Sequence, residues 1–420
     1  MDNPARRTVG RIMAHDADIL IAGGGLNGLT LGLALAQGGM QVQVIDQLPA
    51  QTRADPEFDG RSYALALASK RMLGALGLWE GLAEHAQPIL EVVASDGRAG
   101  EGPSPLFLHF DHAEIEEGPM GYMIEDRFLR NLLLEAAEAT PDLTHRAGAQ
   151  IIGQSIAPGA ASVTLATGEV LAAPLLVGAD GKASGTCARA GIGRDETDYE
   201  QDAIVCAVAH SAPHNGVAHQ FFMPGGPLAI LPLAGQRSGI VWSEERALAA
   251  EYMALDDAGF IEVLKPRFGS FLGEISLAGR RSSYPLVRSL ARQIVAERVA
   301  LVGDAAQAVH PIAGQGLNQG LRDVASLVQV VLEARRRGED IGAADVLERH
   351  RAWRSFDRQS LAFATDGFNR LFSNDNPVLR AGRDLGMGLI GSVPGLRRRF
   401  IREAAGLAGD LPDLLRGRPI

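Results

Sequence analysis

Short apolar runs separated by glycine turns open this chain, and the period of the pattern changes along it. Asp18-Ile19-Leu20-Ile21-Ala22 reads as a buried strand, Leu29 to Gln37 as a helix, and Val42-Gln43-Val44-Ile45 as a second strand ending on Asp46. A helix containing Met72, Leu73, Leu76, Leu78 and Trp79 is expected next. Residues 89–110 alternate loosely among turn residues, which predicts strands of a different sheet. The pattern then predicts a helix from Ile124 through Ala139, a hairpin over Val163–Val170 and a short strand at Leu175-Leu176-Val177. Between 202 and 244 the runs Ala203–Ala209, Gly216–Met223, Leu228–Leu233 and Ser238–Trp242, parted by Pro and Gly, predict an antiparallel or mixed sheet. Arg288 through Val302 leads back to the first pattern. Leu317, Leu321, Val324, Leu327, Val328 and Val331 then fall at helical spacing, and a further helix is expected from about Ala344 to Phe372, carrying Trp353, Phe356, Phe363 and Phe368.

Two periods in 420 residues predict two domains. The expected class is α/β: a discontinuous Rossmann-like domain over 17–87, 118–185 and 286–375, with an inserted mixed or antiparallel β-sheet domain over 88–117 and 186–285. A C-terminal helical tail spans 376–420. Residues 1–16 lack the apolar core and cleavage site of a signal peptide and are expected to be a disordered lead-in.

Composition narrows the partners. At 46% hydrophobic and 21% charged the chain is globular, and a net charge of −10 argues against nucleic acid. Arginine dominates the positive charge, with only Lys70, Lys182 and Lys265 as lysines, a skew expected of a GC-rich bacterial genome. Two cysteines, Cys187 and Cys206, with no CxxC, predict neither a disulfide framework nor a metal site. No run of 18 apolar residues occurs, so no spanning helix and a cytoplasmic location are expected. Leu396-Arg397-Arg398-Arg399-Phe400-Ile401-Arg402 reads either as a membrane-surface or partner helix, or as a terminal helix packed on the body with its arginines in water.

Three turns carry the candidate chemistry. Gly23-Gly24-Gly25-Leu26-Asn27-Gly28 joins the first strand to its helix, and Asp46 closes the next strand. That arrangement suits a dinucleotide: glycines let the backbone approach a pyrophosphate, and the acid accepts from a ribose hydroxyl. It fits FAD and NAD alike. Gly178-Ala179-Asp180-Gly181 leaves a carboxylate at a strand's carboxyl end, or is simply a surface β-turn. Gly303-Asp304 precedes a loop holding Pro311, Gly314 and Gly316, which feeds a helix N-terminus suited to a ring that becomes anionic at one edge, such as a reduced flavin. Arg61 is a candidate for a diphosphate, for the reaction pocket, or for plain solvation.

Together, Gly23-x-Gly25-x-x-Gly28, Gly178-Ala179-Asp180-Gly181 and Gly303-Asp304-Ala305-Ala306 with His310-Pro311 resemble the class A aromatic-ring flavoprotein monooxygenases, over residues 17–400 or so. His310 through Asp323, Asp59-Gly60-Arg61-Ser62-Tyr63-Ala64-Leu65 and Gly121-Tyr122-Met123-Ile124-Glu125 resemble the ubiquinone-biosynthesis hydroxylases within that group. The resemblance implies a p-hydroxybenzoate-hydroxylase-like FAD-binding fold and hydroxylation of a polyprenylated phenol through a flavin C4a-hydroperoxide.

It further implies that Gly23, Gly25, Leu26, Asn27 and Gly28 hold the FAD pyrophosphate, and that Asp46 with Gln47 holds the adenosine ribose. Gly303 and Asp304 would take the ribityl chain, and Gly314, Gln315, Gly316, Leu317 and Asn318 the flavin ring. Asp180 would support the pyrophosphate side and the nicotinamide groove, with His310, Pro311 and Arg61 at the reacting face. O2 is the implied co-substrate. NAD(P)H or a ferredoxin-type donor is the implied reductant, bound transiently because no second dinucleotide fingerprint occurs. A quinone-biosynthesis complex and a peripheral contact with the inner membrane are further implied partners. The pattern departs from the family at 187, where the motif's arginine, three residues after its serine, is Cys187, and the nearest arginine is Arg189. Asp126 likewise stands where relatives carry Arg or Asn. Rival readings are a same-fold hydroxylase of a soluble aromatic metabolite and a non-catalytic FAD-bearing scaffold; a halogenase is disfavoured because Trp79, Trp242 and Trp353 form no Trp-x-Trp pair.

Overall fold

Five parallel strands lie side by side, and the rest of the molecule is arranged around that row. The computed structural model describes residues 15–53, 59–100, 102–308, 315–355 and 393–420. Its first sheet has the order 295–296, 299–301, 175–178, 19–22, 42–46, 143–147, parallel except for the antiparallel edge strand Val295–Ala296. Ile19–Ala22 and Leu175–Gly178 are buried throughout, as strands covered on both faces must be. The apolar helix Leu26–Gln37 lies against this sheet and against the central helix Gln315–Arg336, whose Leu321, Val324, Leu327, Val328 and Val331 are buried in the same core.

A nine-stranded mixed sheet forms the second body. Along it run 307–308, 282–291, 194–210, 237–245, 226–233, 217–223, 91–98 and 102–111, and 275–277 pairs on the side with 194–210. One face is covered by helices Arg246–Ala254 and Asp257–Phe268 over a core of Trp242, Phe260 and Phe268. Among the described residues two three-stranded sheets complete the β structure, one of them containing the expected hairpin, with Ala160–Leu165 antiparallel to Val170–Ala173.

Several expectations need adjusting. The helix expected to run through Trp79 spans Leu67–Ala75; Gly77, at φ +73°, turns the chain, and Leu78 N–H bonds back to Leu73 O at 2.8 Å. Ile124 and Glu125 belong to a strand paired with Ser62–Ala66, and the helix begins at Asp126. The strand expected at Ala203 starts at Arg194. Its acidic first half carries no apolar alternation and is made a strand by pairing with Ser282–Ala291, with a bulge between Asp198 and Asp202. Ser282–Ala291 itself crosses the expected domain boundary at 286. Asp16, assigned to the lead-in, exchanges hydrogen bonds with Ala172 through its backbone N–H and its carboxylate. Residues 1–14, the loop with His310, Pro311 and Gly314, and the expected helix beyond 355 lie outside the described residues.

The tail helix Pro394–Ala404 packs on the body. Ile401, Ala405, Leu407, Leu411, Leu414 and Leu415 enter the first core. Arg397 bonds Glu114 at 2.6 Å, and Arg402 pairs with Glu117.

Candidate functional site

Register brings the three turns together. Ala22 is level with Gly178 on one side and Ile45 on the other, and Gly178 is level with Leu301. The ladder continues past the strand ends: Gly23 N–H donates to Ile45 O at 2.8 Å, Ala179 N–H to Ala22 O at 2.7 Å and Val302 N–H to Gly178 O at 2.9 Å. Parallel strands lie roughly 4.8 Å apart, so Asp46, the glycine turn, the Asp180 turn and the Asp304 turn form one row at the sheet's carboxyl edge.

The glycines of the first turn have different tasks. A Cβ on Gly28 would sit 1.9 Å from Gly23 O, and one on Gly23 would sit 2.4 Å from Ala179 O. These two let backbones touch. Gly25 has nothing within 4 Å of its would-be Cβ, and the helix it opens has no side-chain cap and no acid in its first turn. Among the described residues no side chain caps its first N–H groups. Gly316, in the first turn of the central helix, is equally open. Asn27 is wedged between the first and third motifs, its amide nitrogen 2.3 Å from a would-be Cβ on Gly303 and on Gly320, with Oδ1 buried and unpartnered. An uncapped helix start and an open glycine fit an anionic group such as the FAD diphosphate, whereas the unpartnered Asn27 amide oxygen, an acceptor, suits a hydroxyl or N–H donor of the same ligand.

Two expected site residues, Asp180 and Asn318, are tied up by the protein. Both oxygens of Asp180 are used within its own turn, by the Ser184 hydroxyl and by Thr186 N and Oγ1 at 2.9 Å each. The Asn318 side chain clamps the strand Ser62–Ala66, accepting from Ala66 N and Ser69 Oγ and donating to Ala64 O, each at 2.8 Å. Asp46 is buried beside Gly24 and accepts from Leu48 N at 3.1 Å. Leu26 and Leu317 are half-buried against the core, and Gln47 is exposed.

Asp304 is exposed at the third turn. Loss of surrounding water holds its carboxyl above the usual carboxylate range, opposed by the charges of Lys182 and Arg194 and aided by Asp323. A raised folded value means that ionised Asp304 subtracts from stability near neutrality, and that the penalty fades as pH falls through the folded value towards the ordinary one. Apoprotein carrying Asp304→Asn is therefore expected to melt higher than wild type at neutral pH, with the gap closing on acidification. Thermal melts across the acidic range check this; a gap that widens would contradict it.

Behind Asp304 lies support that the sequence reading missed. Gly303 N–H donates to Asp323 Oδ2 at 3.0 Å, and Asp323 Oδ1 accepts from Arg354 Nε at 2.7 Å, with both side chains fully buried. Arg354 also donates to Gln319 Oε1 at 2.9 Å. Asp323 shares the buried face of Gly320 and Leu327 at helical spacing, and a charge on an apolar stripe is the signal that could have found it.

Arg61 stands at the junction of the two bodies. Asp59 Oδ2 accepts from its Nε at 2.7 Å, and its Nη2 is 2.6 Å from Asp59 and 3.3 Å from the buried Asp126. Asp126 also pairs with Arg130 and accepts from Tyr63 Oη at 3.0 Å. Burial raises the Tyr63 phenol, opposed by the charges of Arg61 and Arg130. Gly60, at φ +89°, comes so close to the large sheet that a Cβ would lie 2.7 Å from Arg280 O and 3.3 Å from Cys206 Cα. The Cys206 thiol is pushed up to about 12 by burial and is unreactive. Glu125, 3% exposed, bridges Arg127 at 2.8 Å and Arg237 of the large sheet at 2.7 Å. Among the described residues no group of three His, Cys, Asp or Glu could hold a metal, and no helix is long and apolar enough to cross a membrane.

Residues 16–354 match the family described as FAD binding domain. The chain is 43% identical to ubiquinone hydroxylase UbiL of Rhodospirillum rubrum, over 96% of this chain and 94% of that one. It is 34% identical to the 3-demethoxyubiquinol 3-hydroxylase of Escherichia coli, over 93% and 98%. In fold it resembles the p-nitrophenol 4-monooxygenase PnpA of Pseudomonas putida, with a TM-score of 0.77 at 18% identity over 97% of this chain and 100% of that one.

Proposed function

This chain belongs to the FAD binding domain family and, within it, to the ubiquinone-biosynthesis hydroxylases, and from that premise we propose that it uses FAD to hydroxylate the aromatic ring of a polyprenylated phenol on the route to ubiquinone. The observation that carries the reading is the row of strand ends, where Gly25 leaves room for a ligand, Asn27 Oδ1 lacks a partner and Asp304 is exposed. The open turn at Gly23–Gly28 and the bare helix start hold the diphosphate, Asp46 the adenosine ribose, and Asp304 the ribityl chain. Asp180 acts indirectly, by fixing the turn against which Gly23 packs. FAD, when bound and reduced by NAD(P)H, supplies the activation of O2. The protein orients the ring and keeps water away from it. Arg61, steadied by Asp59 and Asp126, adds positive charge where an electron-rich phenol is oriented; His310 and Pro311 are assigned to the reacting face, and Gly314 to the flavin ring, by motif alone.

The experiment is FAD loading followed by turnover. Purified protein is expected to take up non-covalent FAD and, with NAD(P)H and O2, to add one oxygen to a prenylated phenol, read by mass spectrometry. Protein that takes up no FAD ends the reading; FAD uptake with hydroxylation only of unprenylated phenols moves the substrate to a soluble metabolite. Asp304→Ala is expected to weaken FAD retention while circular dichroism stays that of wild type.

A polyprenyl substrate resides in lipid, and the tail helix supports a peripheral contact with an anionic membrane surface. Leu396 and Phe400, each 37% exposed, accompany the exposed Arg398 and Arg399, whereas Arg397 and Arg402 are occupied by Glu114 and Glu117. Arg398→Glu with Arg399→Glu is expected to weaken sedimentation with phosphatidylglycerol vesicles by about tenfold or more. Equal partitioning of variant and wild type would remove the helix from this role.

A further inference from the structure

The strand that begins at Arg194 delivers a guanidinium to the back of the Asp304 turn. Arg194 Nη1 donates to Ala305 O at 2.5 Å and Nη2 to Asp304 O at 3.2 Å. On its other side Nε donates to Ser289 Oγ at 2.8 Å and Nη2 to Ser289 O at 3.2 Å. The Ser289 hydroxyl in turn donates to Glu196 Oε1 at 2.7 Å. Arg194, Glu196 and Ser289 lie on paired strands of the large sheet, while Asp304 and Ala305 lie on the turn that ends the first sheet. One side chain thus fastens the turn to the other body with a planar fork that lysine could not reproduce.

The same guanidinium approaches position 187. Arg194 Nη1 is 3.8 Å from Cys187 Sγ, and Cys187 is fully buried, its thiol donating to Ile192 O at 3.5 Å. Cys187 stands where the related motif carries its arginine. A positive fork is therefore present beside position 187, but it comes from the large sheet rather than from the motif.

We infer that Arg194 is the positioning residue for Asp304, standing in for the arginine that Cys187 displaces, and that it ties the flavin-side turn to the substrate sheet. It fixes the carbonyls of residues 304 and 305, and with them the direction in which the Asp304 carboxylate leaves the backbone. It also sets a positive charge beside that carboxylate, with Lys182 as the second cation and Asp323 as the opposing anion acting on it. The inference rests on the FAD reading above, and its test separates the two.

FAD dissociation constants are measured by fluorescence quenching from neutral into acidic pH for wild type, Arg194→Gln, and Arg194→Ala combined with Cys187→Arg. Arg194→Gln is expected to weaken FAD by about 10–100-fold, the scale of losing charge-assisted hydrogen bonds. It should also move the acid limb of the profile to higher pH, because Asp304 loses a cation and is protonated sooner. The double variant returns a guanidinium from the position where the motif supplies it and should restore both the affinity and the acid limb. Arg194→Gln binding FAD as wild type does at every pH overturns the inference, as does uniform weakening across pH with no recovery in the double variant, which is the signature of a merely structural clamp. Wild type that binds no FAD would instead overturn the FAD reading itself.

Discussion

Arg354→Ala is expected to lower the unfolding free energy by about 3–5 kcal/mol, because it leaves the Asp323 carboxylate buried without a counter-charge. The loss should reach the site, since the Asp323 oxygen that accepts from Gly303 N–H would be drawn away or protonated, loosening the turn that presents Asp304. A paired replacement separates the two consequences. Asp323→Leu with Arg354→Met removes both charges, so much of the stability should return. FAD retention should not, because Gly303 N–H still lacks its acceptor. Urea unfolding together with bound-flavin absorbance reads both quantities. A double variant that recovers stability and flavin in parallel would show that Asp323 serves the core alone.

The second large effect separates two glycines three residues apart. Gly28→Ala brings a methyl to 1.9 Å from Gly23 O, so the helix must move off the strand end, at a cost of about 3 kcal/mol. Gly25 has φ −76° and an open surrounding, so alanine there is tolerated by the fold. Its methyl nevertheless occupies the space through which the diphosphate approaches the helix N-terminus. FAD affinity is expected to fall about 100-fold with the melting temperature unchanged. Calorimetric melting of the apoproteins and FAD titration check the pair. Normal FAD affinity in Gly25→Ala would mean that this turn does not face the diphosphate.

Much of the nucleotide-binding half is written locally. A four-residue apolar run closed by glycines and followed by helical spacing has few other solutions, and the strands at Ile19 and Leu175 and the central helix are where the periodicity puts them. The boundaries that moved did so for tertiary reasons. Arg194–Asp202 carries too many acids to alternate visibly, yet its backbone is paired by Ser282–Ala291, while Asp195 and Asp198 pair with arginines and Glu196 accepts from Ser289. Glu125 ends a strand because its carboxylate is held by Arg237 from another sheet.

The sequence alone determined which turns are chemically capable, because glycine spacing and the residue closing a strand are local properties of the backbone. It also determined the family, through motifs whose order survives divergence. Only the tertiary structure decided which side chains are left free to act. Asp180 and Asn318 look like ligands in one dimension, but hydrogen-bond satisfaction consumes them, whereas Asn27 Oδ1 lacks a partner and Asp304 is exposed. Arg194 and Arg354 carry no local signal because what they hold lies far along the chain. A buried or half-buried charge takes its meaning from the partner that compensates it, and that partner is chosen by folding, not by spacing.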